Sequence, residues 1–131
     1  MNTHEIYVSL ETAKLLKKAG FDWECMSYYN INDVLYETWQ NIAVLYNYND
    51  EKEFPFKTSA PTLSVAQRWL REEKGIDVFI FPTFGLSNYK WVFRSIIDME
   101  LPKCEIIFPV YEEALEAGIK KCLELILEKD E

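Results

Sequence analysis

The feature that most constrains this chain is an apolar stripe near its carboxyl terminus. Leu115, Ile119, Cys122 and Ile126 recur at three- and four-residue intervals, and Ala114, Gly118, Leu123 and Leu125 broaden the band. Glu112, Glu113, Glu116, Lys120, Lys121 and Glu124 occupy the other side. That period is helical, and a helix with one apolar side must cover another element. The spacing predicts a helix over about 111–127, docked on a sheet or an adjoining helix. Gly118 lies inside the stripe at a cost of about 0.5 to 1 kcal/mol of helix propensity relative to alanine. Close approach to another backbone is the expected compensation.

Two shorter helices carry their own punctuation. Ser9 precedes Leu10 to Ala19 as an N-cap, with Glu11 in the first turn, Lys17 and Lys18 in the last, and Gly20 placed for a left-handed exit. Val8 and Ala13 fit a small hydrophobic staple across that cap. From Pro61 to Gly75, Leu63, Ala66 and Leu70 share a face widened by Val65 and Trp69. Ser64 with Gln67 fits a capping box there, Thr62 being an equal candidate for the cap, and Gly75 supplies the stop.

Strand signals lie elsewhere. Ile76 to Phe81 is a short apolar run ended by Pro82, and Tyr89 to Ile97 alternates, with Tyr89, Trp91 and Phe93 opposite Lys90, Val92 and Arg94. The short connection predicts an antiparallel hairpin at about 76–97. Half of the aromatic residues fall between Phe21 and Phe56. Rings favour pleated surfaces, so strands are expected near Trp23 to Tyr29 and Asn41 to Tyr48, with a turn at Asn30 to Asp33. Val34 to Trp39 fits a strand or a helical turn, and Asn47 to Glu53 reads as an exposed connection. Ile106 to Phe108 is a candidate edge strand. The expected fold is α+β: a small antiparallel sheet of three to five strands packed by three helices.

At 131 residues the chain is expected to form a single compact domain, with frayed termini at about 1–5 and 128–131. Its 14 basic and 22 acidic side chains give a formal charge of −8, which disfavours a nucleic-acid backbone as a partner. No apolar run reaches membrane-spanning length, and Met1 to Glu5 lacks a basic leader, so a cytoplasmic protein with no membrane partner is expected. Cys25, Cys104 and Cys122 are odd in number and far apart, which reads as buried thiols rather than a metal or disulfide framework. His4 is the only histidine, so no cofactor, multi-histidine metal site or serine–histidine–acid triad is implied.

Common catalytic and phosphate-binding motifs are absent from the sequence. Asp22, Glu24, Asp77 and Glu105 would support an enzyme only by converging in space, and solvated acids are the plainer reading. Arg68, Arg71, Lys74, Lys90 and Arg94 form a candidate contact for an anion or acidic partner, set against ordinary surface charge. Tyr28, Tyr29, Tyr36, Trp39, Tyr46 and Tyr48 combine apolar area with polar tips, and form the candidate interface for a homodimer or an unidentified protein partner. Core packing is the competing use of those rings.

The segments Ser59 to Glu72, Gly75 to Val78 and Tyr111 to Gly118 carry a resemblance. With them the chain resembles a family of small uncharacterised proteins associated with phages and prophages of gut Bacteroidetes, over most of Ser9 to Leu127. The family offers no catalytic residue to carry over. What the resemblance implies is an accessory role in a phage or mobile element. The leading expectation is therefore a noncatalytic protein-binding or structural accessory protein, with an acid-using enzyme or an acidic DNA mimic as alternatives.

Overall fold

The computed structural model describes residues 6–37, 45–83, 88–95 and 107–129. The order of elements is α1 (Leu10–Lys18), β1 (Ser27–Tyr29), β2 (Leu35–Glu37), β3 (Thr58–Ser59), α2 (Leu63–Lys74), β4 (Ile76–Pro82), β5 (Tyr89–Ser95) and α3 (Tyr111–Lys129). The fold is α+β. Its strands lie in two antiparallel sheets, ordered β2-β1-β3 and β4-β5. The chain divides into two compact units, Tyr7–Thr62 and Leu63–Glu131 with Met1–Ile6.

In the Tyr7–Thr62 unit, α1 starts and stops as its sequence requires. Ser9 Oγ accepts a hydrogen bond from the Thr12 amide at 3.3 Å, satisfying one of the free donors of the first turn. Val8 and Ala13 are both fully buried beside that cap. At the other end Gly20 takes φ +97°, the Gly20 amide donates to Lys17 O, and the Phe21 amide donates to Leu16 O. This is the paired Schellman closure, and the accompanying apolar contact positions, Phe21 and Leu16, are both buried.

After the Cys25–Tyr46 bridge comes β1, shorter than the expected Trp23 to Tyr29 strand. The turn at Asn30 to Asp33 forms as predicted. Asn30 Oδ1 accepts from the amides of Asn32 and Val34, and Asp33 adopts φ +62°. Within the described part of the stretch that fits strand or helix, Leu35–Glu37 forms β2, pairing Tyr28 with Tyr36. Opposite β2, β3 pairs Tyr28 with Ser59. The expected strand at Asn41 to Tyr48 is corrected over its described part, where Tyr46 makes one isolated bridge and the chain then turns. Asn47 is the cause, because its Oδ1 accepts from the Asn49 amide and bends the backbone out of a ladder. Asn49 is no mere surface residue either. It accepts from the Ser59 amide and donates to Phe21 O, tying this connection to β3 and to the end of α1.

In the other unit, α2 begins at Leu63, so Thr62 precedes the first helical residue and Ser64 lies inside the first turn. The capping-box reading of Ser64 with Gln67 is thereby corrected. Gln67 instead donates its side-chain amide to Val78 O on β4 at 2.6 Å. Gly75, at φ +68°, ends α2 and the chain enters β4 at once. The hairpin is the predicted one, with register from Ile76↔Ser95 to Pro82↔Tyr89. Pro82 is the last residue of β4, where a missing amide is tolerated. Phe108 adds only an isolated bridge to Tyr89, and Ile106 lies outside the described residues.

The helix α3 covers the hairpin, with Leu115, Ile119 and Cys122 of the predicted stripe buried together with Ala114, Gly118 and Leu123. Ile126 is half-buried. Gly118 is the point of closest approach: a Cβ there would stand 2.7 Å from Trp91 Cβ and 3.0 Å from Val78 Cγ1. The missing side chain is what lets α3 settle onto β4 and β5. No described helix is long and apolar enough to cross a membrane.

Candidate functional site

The rings of the Tyr7–Thr62 unit gather into one cluster. Tyr28 points from β1 and stacks on Tyr36 of β2, with centroids 5.7 Å apart and planes 17° from parallel. These two are directly opposed in the ladder, so the stacking follows from the register. Tyr48 lies 4.6 Å from Tyr28. Tyr46 and Phe54 then close a triangle with Tyr48, at 5.9, 5.4 and 4.9 Å, in tilted and edge-on arrangements. Such geometries bring positive ring edges to negative ring faces. The result is a continuous chain of five rings from Tyr36 to Phe54.

Its exposure is uneven. Tyr48 is buried at the centre, whereas Tyr36 and Tyr46 are 47% and 42% exposed at the flanks. Of the six aromatic residues proposed from sequence, four therefore belong to one cluster: Tyr28, Tyr36, Tyr46 and Tyr48. Tyr29 belongs to the scaffold instead, donating its hydroxyl to Val8 O at 2.8 Å. Trp39 lies outside the described residues.

Sequence reasoning missed two members. Phe54 lies in the aromatic-rich stretch beyond the expected strands, and nothing around Lys57 in sequence marks it, yet the Lys57 ammonium stands over three rings. The turn Asp50–Lys57 brings both residues back to the sheet, through hydrogen bonds from the Phe54 amide to Asp50 O and from the Lys57 amide to Phe54 O. Lys17 of α1 holds the end of this turn, donating to Lys57 O at 2.8 Å and pairing with Glu51. The hydrogen bond from Lys17 to the Glu51 carboxylate, and the charge of Lys17, lower that carboxyl from its ordinary value. No local sequence signal marks such a convergence of residues 28, 48, 54 and 57.

The basic residues proposed as an anion contact are mostly engaged. Arg68 pairs with Glu72, Arg71 and Arg94 each approach Asp77 at 3.8 Å, and Lys74 lies over the Trp69 ring. Lys90 is half-buried and sits opposite Phe81 in the ladder, on the face it shares with Arg94. Of the candidate acids, Asp22 and Glu24 are exposed in the Tyr7–Thr62 unit, and Asp77 in the other unit lies between its two guanidinium partners. Glu105 lies outside the described residues. No cluster of three metal-binding side chains occurs among the described residues.

Two thiols are described, Cys25 and Cys122, and both are buried and free. Burial pushes each up to about 12, the Ser59 hydroxyl pulling Cys25 slightly the other way. At neutral pH they are protonated and poorly nucleophilic. Against family models, curated proteins and solved structures, the chain finds no match.

Proposed function

We propose that this chain is a noncatalytic protein-binding domain whose contact surface is the exposed part of the Tyr36–Tyr28–Tyr48–Tyr46 ring chain. One observation carries the reading: Tyr36 and Tyr46 present nearly half their surface while each is held by a less exposed ring, Tyr36 by the half-buried Tyr28 and Tyr46 by the buried Tyr48. Rings already fixed by their neighbours lose little freedom when a partner covers them, so their apolar area converts to affinity efficiently. Their hydroxyls serve a polar rim. Phe56 lies two residues after Phe54 of this cluster and is 69% exposed, adding apolar surface to the same turn.

The acid-using enzyme has no comparable support, since Asp77 is held by Arg71 and Arg94 and the exposed Asp22 and Glu24 are two residues apart in sequence. The resemblance to phage- and prophage-associated proteins supports a mobile-element accessory role, and bears on context rather than on the surface.

A photo-crosslinking amino acid placed at Tyr36 or Tyr46 in the producing cell tests the reading, with the exposed Glu73 of α2 as the comparison position. Adducts concentrated at the two tyrosine positions are expected. A species of twice the mass identifies the partner as a second copy, and any other mass a different protein. Equal adduct formation from Glu73 would overturn the assignment.

A further inference from the structure

The ring cluster meets a positive charge supplied by its own chain. Lys57 Nζ stands 4.5 Å from the centre of Tyr28, 5.2 Å from Phe54 and 5.8 Å from Tyr48. A lysine over one ring is an ordinary surface contact. Three adjoining rings against a single ammonium form an aromatic box, Tyr48 touching Tyr28 at 4.6 Å and Phe54 at 4.9 Å, in which all three rings attract the same charge. Among the described residues no carboxylate forms an ion pair with Lys57, so the rings are what hold it.

The box is built to stand without its occupant. Tyr28 is paired on both sides, to Tyr36 and to Ser59, and Tyr48 is buried. The Lys57 backbone is fixed independently by Lys17, so the ammonium leaves by rotation about side-chain bonds alone. Immediately before it, Phe56 holds φ +67°, a left-handed conformation unfavourable for a bulky aromatic residue, with its backbone hydrogen-bonded to the Glu51 carboxylate. The turn thus carries strain where it delivers Lys57. Of the exposed acids along the same turn, Glu51 is paired with Lys17, and Asp50 and Glu53 flank the exposed Lys52 in sequence.

We propose that the Tyr28–Tyr48–Phe54 box is a recognition site for an alkylammonium group on a protein partner, with Lys57 as a resident pseudo-ligand that must swing out before the partner's group enters. This rests on the reading of the aromatic face as a partner surface and names the chemistry that the surface selects. Lys57 sets a threshold: a partner's ammonium must bind well enough to displace an intramolecular competitor.

Choline, with its uncharged carbon isostere as control, is the probe. The full chain carrying Lys57→Ala is titrated while the Tyr28 and Phe54 ring protons are followed by NMR. Choline is expected to bind this variant at least about tenfold more tightly than the wild type, because the competitor is gone. Adding Tyr28→Leu should abolish the gain, and the isostere should show none. Choline binding unchanged by Lys57→Ala, or an equal gain for the isostere, overturns the cation site. Should Lys57→Ala lose the folded spectrum, Lys57→Gln takes its place under the same criteria. The titration needs no partner. Its failure with the Tyr36 and Tyr46 adducts intact therefore removes only the cation site, whereas loss of the adducts with choline binding intact removes the partner surface.

Discussion

Phe56 is the residue whose conformation its side chain least explains. A left-handed backbone costs an ordinary L residue about 1 to 2 kcal/mol, and only glycine, asparagine and aspartate visit it readily. Asp33, the other residue beyond glycine at positive φ among the described residues, sits in a turn that suits it; Phe56 does not. Since its ring is 69% exposed, removing that ring forfeits little burial. Phe56→Asn should therefore stabilise the protein by about 0.5 to 1 kcal/mol. The check is a higher urea midpoint with an unchanged slope. A lower midpoint would mean that contacts of the ring hold the turn. Ser9 is the opposite case, a residue whose conformation and chemistry agree. Ser9→Ala removes the acceptor for the Thr12 amide and should cost about 1 kcal/mol by the same measurement.

Among the elements, α3 gives the sharpest test of packing against propensity. Gly118→Ala would gain up to about 1 kcal/mol of helix propensity, but the new methyl group would meet Trp91 Cβ at 2.7 Å and Val78 Cγ1 at 3.0 Å. Trp91 Cβ is bonded directly to the backbone of the hairpin, so it cannot move without shifting a strand. Overpacking costs typically about 1 to 3 kcal/mol, which exceeds the propensity gain, and a lower urea midpoint is expected. An increase would show that α3 can lift from β4 and β5 at no cost. That close approach was legible in the sequence, because a glycine within an apolar stripe needs a physical reason. The caps of α1 and the β4–β5 hairpin were legible for a similar reason: their signals lie within a few residues of the structure they specify. What escaped was non-local. The two-residue β3 has too little pattern to announce itself, and Gln67 was claimed by a local capping motif although its amide serves Val78, eleven residues on. The aromatic box depends on residues from β1 and from a later turn, so composition indicated many rings there without showing that they would surround Lys57.

At the scale of the whole molecule, each compact unit carries one buried thiol among its described residues, Cys25 in Tyr7–Thr62 and Cys122 in α3. Both are raised from 9.0 to about 12, chiefly because burial penalises the thiolate. The sign of the linkage follows. Below pH 9.0 the thiols are protonated in both folded and unfolded chains, and their contribution to stability is fully present. Above it the unfolded chain releases protons that the folded chain retains, so stability falls as pH rises towards about 12. Each thiol contributes a slope of about 1.4 kcal/mol per pH unit within that window. Cys122→Ala removes one such proton from the balance. Its urea midpoint, compared with that of the wild type at neutral pH and at successive values above pH 9.0, should decline less steeply. The difference between the two curves isolates Cys122 from every other group titrating in the same range. Parallel curves would mean that the α3 thiolate is solvated in the folded state, and that α3 does not seal its buried face against the hairpin as the contacts of Gly118 require.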